Sequence, residues 1–197
     1  MSYSSYKLKL RYLRTKVTMD FLTIIEFWFK PEHQPFWFQK DEKFDLKIIE
    51  KFSDIHRSAN AGELYEWRNE PLGRLAEVIV LDQFSRNMFR ESANSFASDS
   101  LALVLAQHAI QAGDDQKLNT IERSFLYMPY MHSESLVIHK EATRLYEQNG
   151  IKVNLEFELK HLAIIKRFGR YPHRNKILGR KSSAEEIAFL QQPGSSF

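Results

Sequence analysis

Arg170, His173, Arg174 and Asn175 fall inside the run Arg167-Phe168-Gly169-Arg170-Tyr171-Pro172-His173-Arg174-Asn175, which leads on to Gly179-Arg180. No acid stands between Glu158 and Glu185, while Lys160, Lys166, Lys176 and Lys181 add further cations. Guanidinium forks grip carboxylate or phosphate at two points. Such a run either binds an anion or pairs with acids from elsewhere in the chain. Gly169 permits a turn that a side chain would resist, and Pro172 biases Tyr171 toward extended backbone. The polar groups are therefore expected on a fixed loop. A second set, Asp82, Gln83, Arg86 and Asn87, contains the i,i+4 pairs Asp82/Arg86 and Gln83/Asn87 on adjoining faces of one helix. The turns before it are almost wholly apolar, so some of these groups should be buried. An unpartnered buried polar group costs roughly 2–7 kcal/mol. This set forms either an internal ion-pair network that fixes helix packing or the lining of a ligand pocket.

Histidines give the second chemical signal. Imidazole titrates near neutrality, so His132 or His173 can serve as a general acid–base. Arginines nearby disfavour the protonated ring and leave a neutral base. As a metal set, His132, Glu134, His161 and His173 lack the usual helical ligand spacings, and the arginines would repel a cation; no metal and no other cofactor is expected. His161 shares an apolar stripe with Phe157, Ile164 and Phe168, which fits a hydrogen-bonded core histidine. Ser85, Ser133 and Ser135 have no nucleophile-elbow context, and Ser133 reads better as a helix cap. The site expected from residue types is thus Arg86, Arg170 and Arg174 on an anion, with Asn87 and Asn175 orienting it and Gln83 beside them. Asp82 and Glu134 would position the arginines, and His132 or His173 would move a proton.

The elements that must carry these residues are helices. Asp41 can cap a helix with Phe44, Ile48, Phe52 and Ile55 on one stripe, ended by Ala61-Gly62. Pro71 suits the first turn of the next, whose Leu72 to Leu81 stretch is apolar nearly all round and should be central. Thr18 can cap a first helix that runs into Phe29. Further helices are expected from Ser95 to Ala112, from Asn119 until Pro129 interrupts, from Ser133 to Gly150, from Asn154 onward, and from Ser182 with Glu185 through Leu190. Short links make successive helices antiparallel αα-hairpins. The Phe27-Trp28-Phe29 and Phe36-Trp37-Phe38 clusters read as core or pocket wall.

Length and composition agree with one folded unit. The 197 residues are 43% hydrophobic and 27% charged, with a net charge of +3, too small to announce a nucleic-acid binder. The absence of cysteine excludes disulfides and thiolate chemistry and suits a cytoplasmic protein. Nothing is apolar enough to span a membrane. Residues 1–17 carry Lys7, Lys9, Arg11, Arg14 and Lys16 and read as a basic extension ahead of a single helical domain at 18–197.

Phe27-Trp28-Phe29, Trp37-Phe38, Gly62-Glu63-Leu64 with Trp67, Leu81-Asp82-Gln83-Phe84-x-Arg86-Asn87 with Arg90, and Met128-Pro129-x-x-His132-Ser133-Glu134 recur in order with the arginine run and Leu178-Gly179-Arg180. This set resembles the bacterial domain-of-unknown-function family 924. The resemblance implies an all-α, tetratricopeptide-like fold, in keeping with the reading above of about eight helices, and transfers no catalytic role. The leading functional expectation is binding, and turnover if chemistry occurs, of a small anionic metabolite. The alternatives are an interaction module for an acidic peptide and, with less in its favour, RNA binding.

Overall fold

In the computed structural model of the chain, residues 19–196 are described, and their regular structure is all helical. The expected Thr18 cap and the 1–17 extension lie outside these residues. Helix α1 (Phe21–Trp28) is capped by Asp20, whose carboxylate accepts from the Leu22 N–H. Helix α2 (Glu42–Asn60) starts as expected at Asp41, which accepts from the Phe44 N–H at 2.8 Å. Helix α3 begins at Pro71 and has three continuous pieces: Pro71–Ile79, a π turn at Val80–Phe84, and Ser85–Met88. After it come α4 (Asp99–Gln111), α5 (Thr120–Met131), α6 (Leu136–Asn149), α7 (Lys152–Phe168) and the short α8 (Ala184–Leu190).

Several boundaries differ from the sequence reading, each for a physical reason. Ser95 lies in a 3-10 turn, Ala93–Phe96, so α4 starts at Asp99. Pro129 does not end α5. Its missing N–H removes one helical bond, but a full Asn119/Glu122 capping box anchors the start and Pro129 is buried in the packed side of the helix. Ser133 is not a cap, since α6 opens after Ser135; Asn154 lies inside α7, which opens after Ile151. The last capping box is Ser183 with Glu186, one residue beyond the expected pair.

Helix α3 is the centre of the molecule, as its all-round apolarity requires. Leu75, Ala76, Val78, Ile79, Val80, Leu81 and Phe84 are fully buried. Helix α1 packs on its first piece and α2 on its π turn and last piece, while α4 and α5 close the opposite side. Gly73 allows one close approach, because a Cβ there would sit 2.0 Å from the Trp67 carbonyl oxygen. Aromatic rings knit this core: Trp28 meets Phe125 edge-on at 5.6 Å, and Phe52 stacks on Phe84 at 4.9 Å. Phe38 is the exception among the expected core aromatics, at 72% exposure. Helices α5, α6 and α7 pack as consecutive neighbours. A smaller cluster of Ile164, Ile165 and Tyr171, with Phe168 and Phe189, fastens the arginine loop to α7 and α8. Phe157, placed on that stripe from sequence, is 43% exposed.

Candidate functional site

Asp82 sits in the π turn of α3, fully buried. Such turns interrupt an α-helix by one extra residue and recur at functional positions. Its carboxylate accepts from Nδ1 of His132 at 2.7 Å and from Gln83, and pairs with Arg86 at 3.2 Å. Burial alone would raise the Asp82 pKa, but Arg86 and His132 outweigh it and hold the carboxyl well below its usual range. His132 caps the C-terminus of α5. Burial, helped by the Arg86 charge, lowers its pKa despite Asp82, so the ring is neutral near pH 7. A neutral ring with Nδ1–H donated to Asp82 carries its lone pair on Nε2. That is the tautomer of a general base oriented by a carboxylate.

The arginine loop arrives from the other end of the chain. Gly169 closes α7 in the left-handed region at φ 68°, and Tyr171 is extended before Pro172, both as the sequence requires. Tyr171 pins the loop: its N–H donates to Glu134 at 2.7 Å, and its hydroxyl donates to the Met131 carbonyl. A 3-10 turn at Pro172–Arg174 then brings Arg174 to His132, whose carbonyl accepts from Nη2 at 3.0 Å. The guanidinium lies between the rings of Phe96 and Tyr171, 4.5 and 4.6 Å from their centroids. Asp99, the first residue of α4, joins the two arginines. It accepts from Arg86 at 3.0 and 3.2 Å and from Arg174 at 3.2 Å. Even so, burial and the Arg86 charge leave the Arg174 cation disfavoured, with a lowered pKa, and its Nε is buried without a partner.

Arg174, Asp99 and His132 line one cleft of about 310 Å³, together with Phe96, Ser133 and Glu134. The arginine loop therefore reaches this opening through Arg174, while no residue of α3, the aspartate helix, lines it. His132, Glu134 and Arg174 line it, while Asp82 and Arg86 connect to it only through His132 and Asp99, and Gln83 through Asp82.

The remaining expected residues are placed elsewhere. Arg170 forks onto Glu186 at 2.7 and 2.8 Å, on α8. Asn87 donates to Asp45, which also takes a fork from Arg90, joining α3 to α2. Asn175 is fully buried between Ser182 and Arg180. Glu134 was expected to position Arg170 or Arg174, but it grips Arg180 at 2.6 and 2.9 Å. His173 lies against Tyr171 outside the cleft lining, its Nδ1 buried and unpartnered and its pKa pushed down by burial and Arg174 to about 4. His161 is the core histidine expected from its stripe, with Nδ1 on the Phe157 carbonyl at 2.7 Å. A buried pair that sequence did not suggest, His139 with Glu158 at 2.7 Å, supports this wall; Nε2 of His139 meets the Ser133 carbonyl. Among the described residues no three acids or imidazoles group as metal ligands.

Asp99 and Phe96 were missed as site residues. An acid in a first helical turn complements the helix dipole in any helix, so Asp99 carried no signal of its own; only the fold shows two arginines on it.

The architecture and the cleft define an all-helical protein with a buried aspartate–histidine pair beside a stacked arginine. Residues 24–194 match the family described as bacterial protein of unknown function (DUF924), and the chain belongs to that family. It is also similar to a solved structure titled "Structure of Protein of Unknown Function ATU0120 from Agrobacterium tumefaciens", at 37% identity and a TM-score of 0.83. That match covers 87% of this chain and 96% of the other. No curated protein matches. Among the described residues no helix is long and apolar enough to cross a membrane.

Proposed function

We propose that the cleft binds a small anionic metabolite, with its acid group on Arg174 and a proton-bearing group near Nε2 of His132. The carrying observation is the Arg174 guanidinium, stacked at the cleft beside a neutral imidazole that Asp82 orients. Its charge is under-compensated by the protein, so an added anion would relieve it. A second field acts in the same sense. Helix α4 presents its N-terminus here without a side-chain cap bond from Ser98, and Asp99 and Ser100 line the cleft; the first turn of a helix favours negative charge. Where turnover follows binding, His132 would take the proton, and the substrate would lose it to Nε2.

An acidic peptide on a tetratricopeptide-like concave face, or a nucleic acid, would need a row of free cations. Arg167, Arg170 and Arg180 are paired with Glu185, Glu186 and Glu134, so that row would rest on the exposed Lys166, Lys176 and Lys181, which gives those readings less support. The test is a thermal-shift screen of carboxylate and phosphate metabolites. Binding at a hundredfold excess over Kd stabilises by about 2.7 kcal/mol. Arg174→Ala should abolish the ligand-dependent shift while helical content by circular dichroism survives, and Arg170→Ala should keep it. A shift untouched by Arg174→Ala, or no shift with any acid, overturns the reading.

A further inference from the structure

We infer that the ligand of this cleft is a small amino acid, held by its carboxylate on Arg174 and by its ammonium on Glu134. The inference rests on the anion reading just given, which supplies the carboxylate, and adds a cation to it. The charges that face the opening are the first argument. Two carboxylates, Asp99 and Glu134, line the cleft against one guanidinium, Arg174, with the His132 ring neutral. Such a wall offers a cation at least as much as it offers an acid group. Arg86 and Arg180 pair with these carboxylates from outside the lining. A guest with one charge of each sign finds an opposite charge for both ends and adds no net charge to the half-buried set.

Bonding capacity is the second argument. Among the described residues Asp99 is the one carboxylate paired with Arg174, and Arg86 shares it. Glu134 carries a single guanidinium, that of Arg180, and the Tyr171 N–H. A carboxylate has about four acceptor sites, so one remains on Glu134, whose side chain is 27% exposed against 17% for Asp99. Burial would raise the Glu134 pKa, but Arg180 and the Tyr171 N–H outweigh it and keep the carboxyl ionised. His132 and Ser133 precede it in the link between α5 and α6, and both line the cleft. An ammonium has three N–H donors. The free site on Glu134, the Nε2 lone pair of His132 and the Ser133 hydroxyl are three acceptors on that one link. A hydroxyl in the ammonium's place would bring one donor and no charge.

The experiment is calorimetric titration of the full chain with alanine, serine and aspartate, each against its hydroxy acid: lactate, glycerate and malate. Each hydroxy acid keeps the carboxylate and the outline of its partner and puts a hydroxyl where the ammonium was. The best-bound amino acid should exceed its hydroxy acid by about tenfold or more, the scale of one charged hydrogen bond. Glu134→Gln should weaken that amino acid about tenfold more than it weakens the hydroxy acid; where this variant fails to fold, the wild-type pairs decide alone. Hydroxy acids that bind as tightly as the amino acids overturn the inference, and if their binding is lost in Arg174→Ala, the anion reading stands without it. An amino-acid preference untouched by Glu134→Gln removes the role given to Glu134. If no compound of either kind binds, the inference falls, and the thermal-shift screen of the other acids decides the anion reading.

Discussion

Asp82→Ala is expected to destabilise the protein by about 4 kcal/mol, because deleting one partner of a buried charge network leaves the others uncompensated. For a chain of this size that lowers Tm by about 8–16 °C. The expectation follows from position as much as from pairing. Asp82 is fully buried and serves His132, Arg86 and Gln83 together, so its loss leaves the His132 ring without its acceptor and the Arg86 guanidinium with Asp99 as its one carboxylate. Asp82→Asn, which keeps one acceptor, should fall between the two. Chemical denaturation of the three proteins at pH 7 checks this. A loss under about 1 kcal/mol, the range of an exposed pair, would mean that water reaches the network and that the cleft wall is not preorganised.

Acid should destabilise the chain well above the carboxylate range. His161 is pushed down to about 3 by burial, and His173 to about 4 by burial and Arg174. A folded-state pKa below the unfolded value means that the unfolded chain takes up protons first as pH falls through about 6.5. Stability is then full above that pH and declines until the folded pKa values are reached. Each group contributes about 1.4 kcal/mol per pH unit across the window, so the pair removes on the order of 4 kcal/mol by pH 5. His132 and His56, both lowered with burial as the largest cause, act in the same direction. Against a typical total of about 5–15 kcal/mol, that is a large share. Urea melts at pH 8, 7, 6 and 5 should show the decline, and His161→Gln should flatten it. Constant stability from pH 8 to 5 would show the histidines to be hydrated.

Much of this was legible from residue types alone. Asp41, Pro71 and Gly150 marked helix ends, and Gly169 a turn, because capping and left-handed geometry depend on the residue itself. The apolar run of α3 announced a central helix, and the polar residues at its far end announced a network. Partner choice was not legible. Arg170 and Arg174 lie in one short run with the same chemistry, yet one faces α8 and the other the cleft. Their difference depends on the 3-10 turn after Pro172 and on where Glu186 lands, both tertiary facts. The π turn was equally hidden, since nothing in Val80–Phe84 distinguishes it from ordinary helix, although it carries Asp82. Asp99 was missed because an acid that begins a helix is ordinary until two arginines are found on it.

The most direct test of the cleft as a binding site is the state of the His132 ring, read by long-range ¹H–¹⁵N correlation at pH 7 with and without the carboxylate and phosphate metabolites of the thermal-shift screen. A neutral ring protonated at Nδ1 is expected, with Nε2 shifting as the acid binds and with no shift in Arg174→Ala. A ring protonated at both nitrogens, or one blind to every acid offered, would contradict the account.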